Sequence, residues 1–218
     1  MDKPTILPQN VKPLLETPYL NVYDLEYAPG KHYFDATRRK KENLVASKSL
    51  GEFKTMHPDA VSCVVILSIK GQEPLLLLTY EFRYPAGQFL LSIPAGLIDA
   101  ADLESPEPLL ITAKRELEEE TGIVLCETDS ARVISPFLFS TPGMTDESNA
   151  LVELVIRRDS MPSFSQDGAV GSECFDGFSL LTKQDAMRIL QNGVDDNGLF
   201  YSVYTWTALS HFVSDRWI

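Results

Sequence analysis

The sequence predicts an α/β chain, a mixed sheet with helices on both faces preceded by a small antiparallel β layer. Three observations predict it. Strong strand signals at 61–69 and 75–80 flank Lys70-Gly71-Gln72-Glu73-Pro74, a hairpin connection. A periodic stretch at 109–120 reads as helix: Leu109, Ala113 and Leu117 form one apolar stripe, and Gly122 stands where a left-handed cap closes a helix. Up to about Met56 the patterns are short and extended, broken by the turn signal Pro29-Gly30.

In chain order, Leu20-Asn21-Val22-Tyr23 and His32-Tyr33-Phe34 are the extended patterns of the first layer, assigned to residues 1–56. The main domain is assigned to 57–218. Its strands are the two central runs, then Phe89-Leu90-Leu91-Ser92-Ile93, which leaves through a sharp turn at Pro94-Ala95-Gly96, and the later candidates 133–139, 150–157 and 175–181. After the helix at 109–120, two more are expected at 183–191 and 200–215.

The helix at 109–120 breaks a local rule. In Arg115-Glu116-Leu117-Glu118-Glu119-Glu120-Thr121-Gly122-Ile123 the last turn is acidic, so carboxylates face the negative end of the helix dipole. Glu116 and Glu120, four apart, lie side by side as like charges. Each effect costs from a few tenths to about 1 kcal/mol. A divalent cation removes both costs, and Mg²⁺, a hard ion, takes carboxylate oxygens while keeping some water. Glu116 and Glu120 are the expected ligands; Arg115 and Glu119, also four apart, form a second pair in which guanidinium fixes a carboxylate. The other reading is a solvated acidic face closed by glycine.

Strand, glycine turn, loop and acidic helix follow in that order, and together Pro94-Ala95-Gly96-Leu97-Ile98-Asp99 and Arg115 to Ile123 resemble the Nudix box. That signature belongs to hydrolases that split a nucleoside diphosphate linked to another group. Tyr80-Glu81-Phe82-Arg83-Tyr84-Pro85 and the residues around Gly96 are similar to the ADP-ribose pyrophosphatase branch. Gly96 and Arg115 stand further apart than in the family pattern, which puts an insertion in the loop 100–108. Counting back from Arg115 puts the isolated glutamate of the box at Glu107, with Glu104 as a competitor. Ser92 stands where many members of the branch carry glutamate.

The resemblance implies a Nudix α/β/α sandwich that hydrolyses ADP-ribose, or a related nucleoside diphosphate sugar, to a nucleoside monophosphate and a sugar phosphate. Mg²⁺, with Mn²⁺ as the alternative, would sit on Glu116, Glu120, Glu119 and the backbone carbonyl of Ala95, the number of ions being open. Glu119 and Arg115 count among the catalytic residues. A general base is expected on a loop beyond the box: Glu173 is preferred and Glu147 is the alternative. Arg83 and Gly96 are the substrate-binding candidates, and a homodimer built through the N-terminal layer is expected. Another nucleotide substrate, or a binding module without turnover, remains the rival reading.

A net charge of −12 over 218 residues argues against a nucleic-acid partner, whose phosphates reward dense Lys and Arg. Cys63, Cys126 and Cys174 are odd in number and widely spaced, indicating neither a disulfide framework nor zinc. His32, His57 and His211 read as structural or surface residues. The start Met1-Asp2-Lys3-Pro4 lacks a signal-peptide run, and Pro74-Leu75-Leu76-Leu77-Leu78 is too short to span a bilayer, so a cytoplasmic protein with no membrane partner is expected.

Overall fold

Alternation along a single strand organises the larger part of the molecule. In β4 (Ala60–Ile69), Val61, Cys63, Val65, Leu67 and Ile69 point to one side and Val64 and Ile66 to the other, and all are buried. A strand covered on both faces reads as one continuous apolar run, which is why this segment gave the strongest strand signal. The computed structural model describes residues 4–169 and 171–217; the chain start at Met1 to Lys3 and Val170 of the expected base-bearing loop lie outside the described residues.

The chain forms two compact units, residues 60–136 with 150–218, and residues 1–59 with 137–149. In the larger unit a mixed sheet runs in the order β10 (Phe175–Leu181), β5 (Leu75–Arg83), β4, β9 (Ser148–Arg158), β8 (Ser130–Phe139), with β6 (Gln88–Ser92) joined to β5 and β7 (Ala95–Leu97) to β4. One face packs Ala113 and Leu117 of α2 (Pro108–Thr121) against the odd-numbered side chains of β4. The opposite face packs Val64 and Ile66 against Ala186 and Ile189 of α3 (Lys183–Asn192) and Ala208, Leu209 and Phe212 of α4 (Val203–Val213). Helices on both faces of a mixed sheet make the α/β/α sandwich that the sequence predicts.

Local chemistry sets the helix ends. Gly122 closes α2 with φ +72°, its N–H donating to the Glu118 carbonyl at 2.8 Å. Thr182 and Asp185 form a reciprocal capping box at the start of α3, and the Ser202 hydroxyl accepts from the Thr205 N–H at the start of α4. The last helix therefore begins at Val203, three residues later than its apolar pattern suggests. The turn expected at Pro94-Ala95-Gly96 is instead the short strand β7, with Ala95 opposite Ser62 and Leu97 opposite Ala60. No helix among the described residues is long and apolar enough to cross a membrane.

The smaller unit holds a three-stranded antiparallel sheet, β1 (Val11–Glu16), β2 (Asn21–Ala28) and β3 (Lys31–Thr37), and a short helix α1 (Leu50–Lys54) opened by a Ser49–Glu52 capping box. It also contains residues 137–149, which the sequence reading assigns to the domain from 57 onward. Tyr23, Val11, Leu25 and Leu44 form its own small core.

Asp35 of β3 accepts the Asp146 N–H at 3.1 Å on one oxygen, while the other is buried without a hydrogen bond. Burial, reinforced by the charge of Asp146, pushes the Asp35 carboxyl up to about 6. A carboxyl with a raised folded pKa binds its proton better in the folded state, so its contribution to stability falls as pH rises from about 4 to about 6. Asp35→Asn is expected to remove that part of the pH dependence, on the order of 1–2 kcal/mol, when urea unfolding of variant and parent is compared between pH 4.5 and 7.5.

Candidate active site

The C-terminal half of α2 lies against β7, and that contact builds the site. The apolar stripe of Ala113 and Leu117 fixes the rotation of the helix on the sheet, so Glu116 and Glu120 turn toward the strand end and are buried, 4% and 2% exposed. Glu120 Oε1 accepts the Ala95 N–H at 3.1 Å, and its Oε2 is buried with no hydrogen-bond partner. The Glu116 carboxylate fills the space above Gly96: a Cβ there would come within 1.9 Å of Glu116 Oε1. Glycine here serves close approach rather than backbone conformation.

Arg115 sits at the hub. Its Nη1 meets Glu116 Oε1 at 2.7 Å and donates to Glu119 Oε2 at 3.0 Å, the pairing expected from their spacing. Its Nη2 donates to the Leu97 carbonyl at 2.9 Å and to Asp102 Oδ2 at 3.2 Å. Partial burial works against its charge, but Glu116, Asp102 and Glu119 together raise its pKa.

Asp102 corrects the sequence reading of the loop. Glu104 and Glu107 are exposed, whereas Asp102 is buried, accepting from the Thr112 hydroxyl at 2.9 Å and the Asp99 N–H at 3.2 Å as well as from Arg115. These three hydrogen bonds outweigh the cost of its burial and hold the Asp102 carboxyl below its usual range. Counting back from Arg115 points to Glu107, whereas the acid of this loop that meets Arg115 is Asp102.

Electrostatics separate the two buried glutamates from ordinary surface acids. Burial pushes Glu116 up to about 7, against the pull of Arg115. Burial drives Glu120 well above the usual carboxylate range; the Ala95 N–H opposes this, and the charges of Glu81, Glu116 and Glu173 add to it. Desolvated oxygens, one of them unpartnered, with several acids nearby suit a hard divalent cation bound through oxygen. Glu116, Glu120 and Glu119 could hold such an ion. Among the described residues no three acidic, histidine or cysteine groups form a ready metal cluster, and Arg115 is paired with both Glu116 and Glu119.

Of the other candidates, Glu173 precedes β10, and its charge acts on both Glu116 and Glu120. Arg83, at the end of β5, pairs with Glu81 at 2.5 Å. Glu147 is in the smaller unit, where it pairs with Arg38 at 3.1 Å. A cavity of about 530 Å³ opens along the outer side of α2 between Arg115, Glu118, Glu119, Gly122 and Gly168.

Residues 56–166, half of the chain, match the NUDIX domain family model. The chain belongs to the Nudix family. Mouse ADP-sugar pyrophosphatase is 36% identical over 101 residues, covering 46% of this chain and 42% of that protein. Saccharomyces cerevisiae ADP-ribose pyrophosphatase is 36% identical over 101 residues, 45% of this chain and 39% of that protein. The Bacillus subtilis ADP-ribose pyrophosphatase is 26% identical over 136 residues, 62% and 64% of the two chains. The chain thus spans less than half the length of several curated relatives that it matches. The crystal structure of an ADP compounds hydrolase overlays with a TM-score of 0.57 at 19% identity, covering 100% of this chain and 95% of the other, and supports the Nudix fold.

Two glycines beside α2 face different obstacles. A Cβ on Gly96 meets only the end of a flexible side chain, whereas a Cβ on Gly168 would lie 2.5 Å from the Glu119 backbone carbonyl. Thermal unfolding is therefore expected to show Gly96→Ala close to wild type and Gly168→Ala destabilised by about 1–3 kcal/mol.

Proposed function

We propose that this chain hydrolyses the pyrophosphate bond of ADP-ribose, or of a related nucleoside diphosphate sugar, with Mg²⁺ as the preferred ion, Mn²⁺ as the alternative and the number of ions left open. One observation carries the reading: Glu116 and Glu120 are buried side by side against Ala95 and Gly96, with an unsatisfied carboxylate oxygen between helix and strand. The names of the mouse, yeast and Bacillus relatives point to the same class of compound.

In this reading Glu116, Glu120 and Glu119, with the Ala95 carbonyl, would hold the ion, which when bound would supply charge neutralisation on the diphosphate and a more acidic water. Arg115 keeps Glu119 in register, and Asp102 keeps Arg115 in place. Glu173 takes the proton from the water as it attacks one phosphorus; the bridging oxygen leaves with the other phosphate, giving a nucleoside monophosphate and a sugar phosphate. Arg83 binds a phosphate oxygen, and Gly96 keeps room for the Glu116 carboxylate. Glu147 is the alternative base. Residues 1–56 would form a dimer-building layer and 57–218 the catalytic domain of a homodimer working in the cytoplasm.

The test is a panel of nucleotide sugars, dinucleotides and nucleoside triphosphates with product identification, with and without chelator. ADP-ribose is expected among the best substrates, and chelation to stop turnover. Glu120→Gln is expected to lower kcat at least about 100-fold while the protein stays folded. Gly96→Ala is expected to lower it about tenfold by displacing Glu116. Poor turnover of ADP-ribose beside efficient hydrolysis of another compound overturns the substrate, and turnover that survives chelation overturns the mechanism.

A further inference from the structure

Glu81 has no part in the mechanism above, yet it is fastened to the site from two directions. It lies on β5 opposite Phe175 of β10, and the N–H of its neighbour Phe82 donates to the Cys174 carbonyl at 2.8 Å. These backbone contacts tie the segment that carries Glu173 to the strand that carries Glu81. The Glu81 side chain is largely buried, and its charge acts on Glu120 while that of Glu173 acts on it.

The cation beside this carboxylate is Arg83, whose Nη2 stands 2.5 Å from Glu81 Oε2. Residues two apart on a strand share a face, so the pair forms on one side of β5 without distorting it. Glu81 is held by the sheet, whereas Arg83 is nearly half exposed beyond it. A flexible, solvated arginine therefore takes its direction from a fixed, desolvated acid. Guanidinium carries five N–H donors, and one contact to Glu81 leaves others to face an incoming oxyanion.

We propose that Glu81 is a positioning residue, holding Arg83 at the edge of the carboxylate cluster so that its remaining donors receive an oxygen of the substrate diphosphate. The inference rests on the reading that Arg83 binds phosphate at this site. Prepaid ordering of a long side chain appears as tighter substrate binding, because the rotamer entropy is lost before the ligand arrives.

A double-mutant cycle tests this, run on the compound from the panel that wild type turns over best, so a failed choice of ADP-ribose does not decide it. Glu81→Gln keeps the shape and removes the charge; it is expected to raise KM about fivefold with kcat within roughly twofold. In an Arg83→Ala background the same change is expected to do nothing further. Glu81→Asp is expected to recover part of the loss. Calorimetric titration of the same compound into Glu120→Gln protein, with and without the Glu81 change, should show the same fivefold weakening. A fall in kcat with unchanged KM, an equal loss in both backgrounds, or unaltered binding overturns the proposal. If no compound on the panel is turned over or bound, this proposal falls together with the reading it rests on.

Discussion

Burial of two like-charged carboxylates at the foot of one helix is the constraint around which the larger unit is arranged. Glu116 and Glu120 cannot be solvated where the Ala113–Leu117 stripe puts them, because the contacts that secure the helix also press its acidic side onto β7. Every feature nearby answers that cost. Ala95 lends an N–H, Gly96 lends space, and Arg115 lends positive charge that Asp102 in turn orients. The remaining unsatisfied oxygen marks where the protein's own groups run out. Groups of this kind are expensive to keep and tend to be held where chemistry needs them.

Much of this was legible in the residues alone because it rests on short-range rules. The stripe at 109, 113 and 117, the cap at Gly122 and the four-residue spacing of Arg115 and Glu119 each depend on helix geometry, which sequence spacing specifies. The alternating and continuous apolar runs of β4 and β5 were equally plain. What escaped the reading is long-range or very short. Strand β7 has three residues directly after a proline, and only its pairing with β4 makes it a strand. Strand β1 contains Pro13 and buries only Val11, so it carries almost no apolar period. Asp102 was missed because a loop length had to be assumed before its partner could be found. Glu81 was passed over because one acid on a strand announces nothing until β10 is laid beside it.

The two units illustrate different ways of managing charge. In the larger, acids converge on one helix end with Arg115 as their shared counter-ion. In the smaller, Arg39 and Asp59 pair at 2.8 Å while Ser148 donates to the same aspartate through both hydroxyl and N–H. Both oxygens of Asp59 are thereby engaged, although Arg39 Nε and one oxygen of Asp35 in the same unit stay buried without a hydrogen bond.

The placement of Asp102 has a consequence for how this chain tolerates change in length. Its bonds to Asp99, Thr112 and Arg115 form a clasp that closes the loop upstream of the additional residues. Residues 103–106 form a surface protrusion between that clasp and Glu107, whose carbonyl accepts the Leu110 and Ile111 N–H groups at the start of α2. A peptide epitope or a fluorophore spliced into this protrusion would ride on the outside of the protein as a reporter without bending the helix that bears the acids.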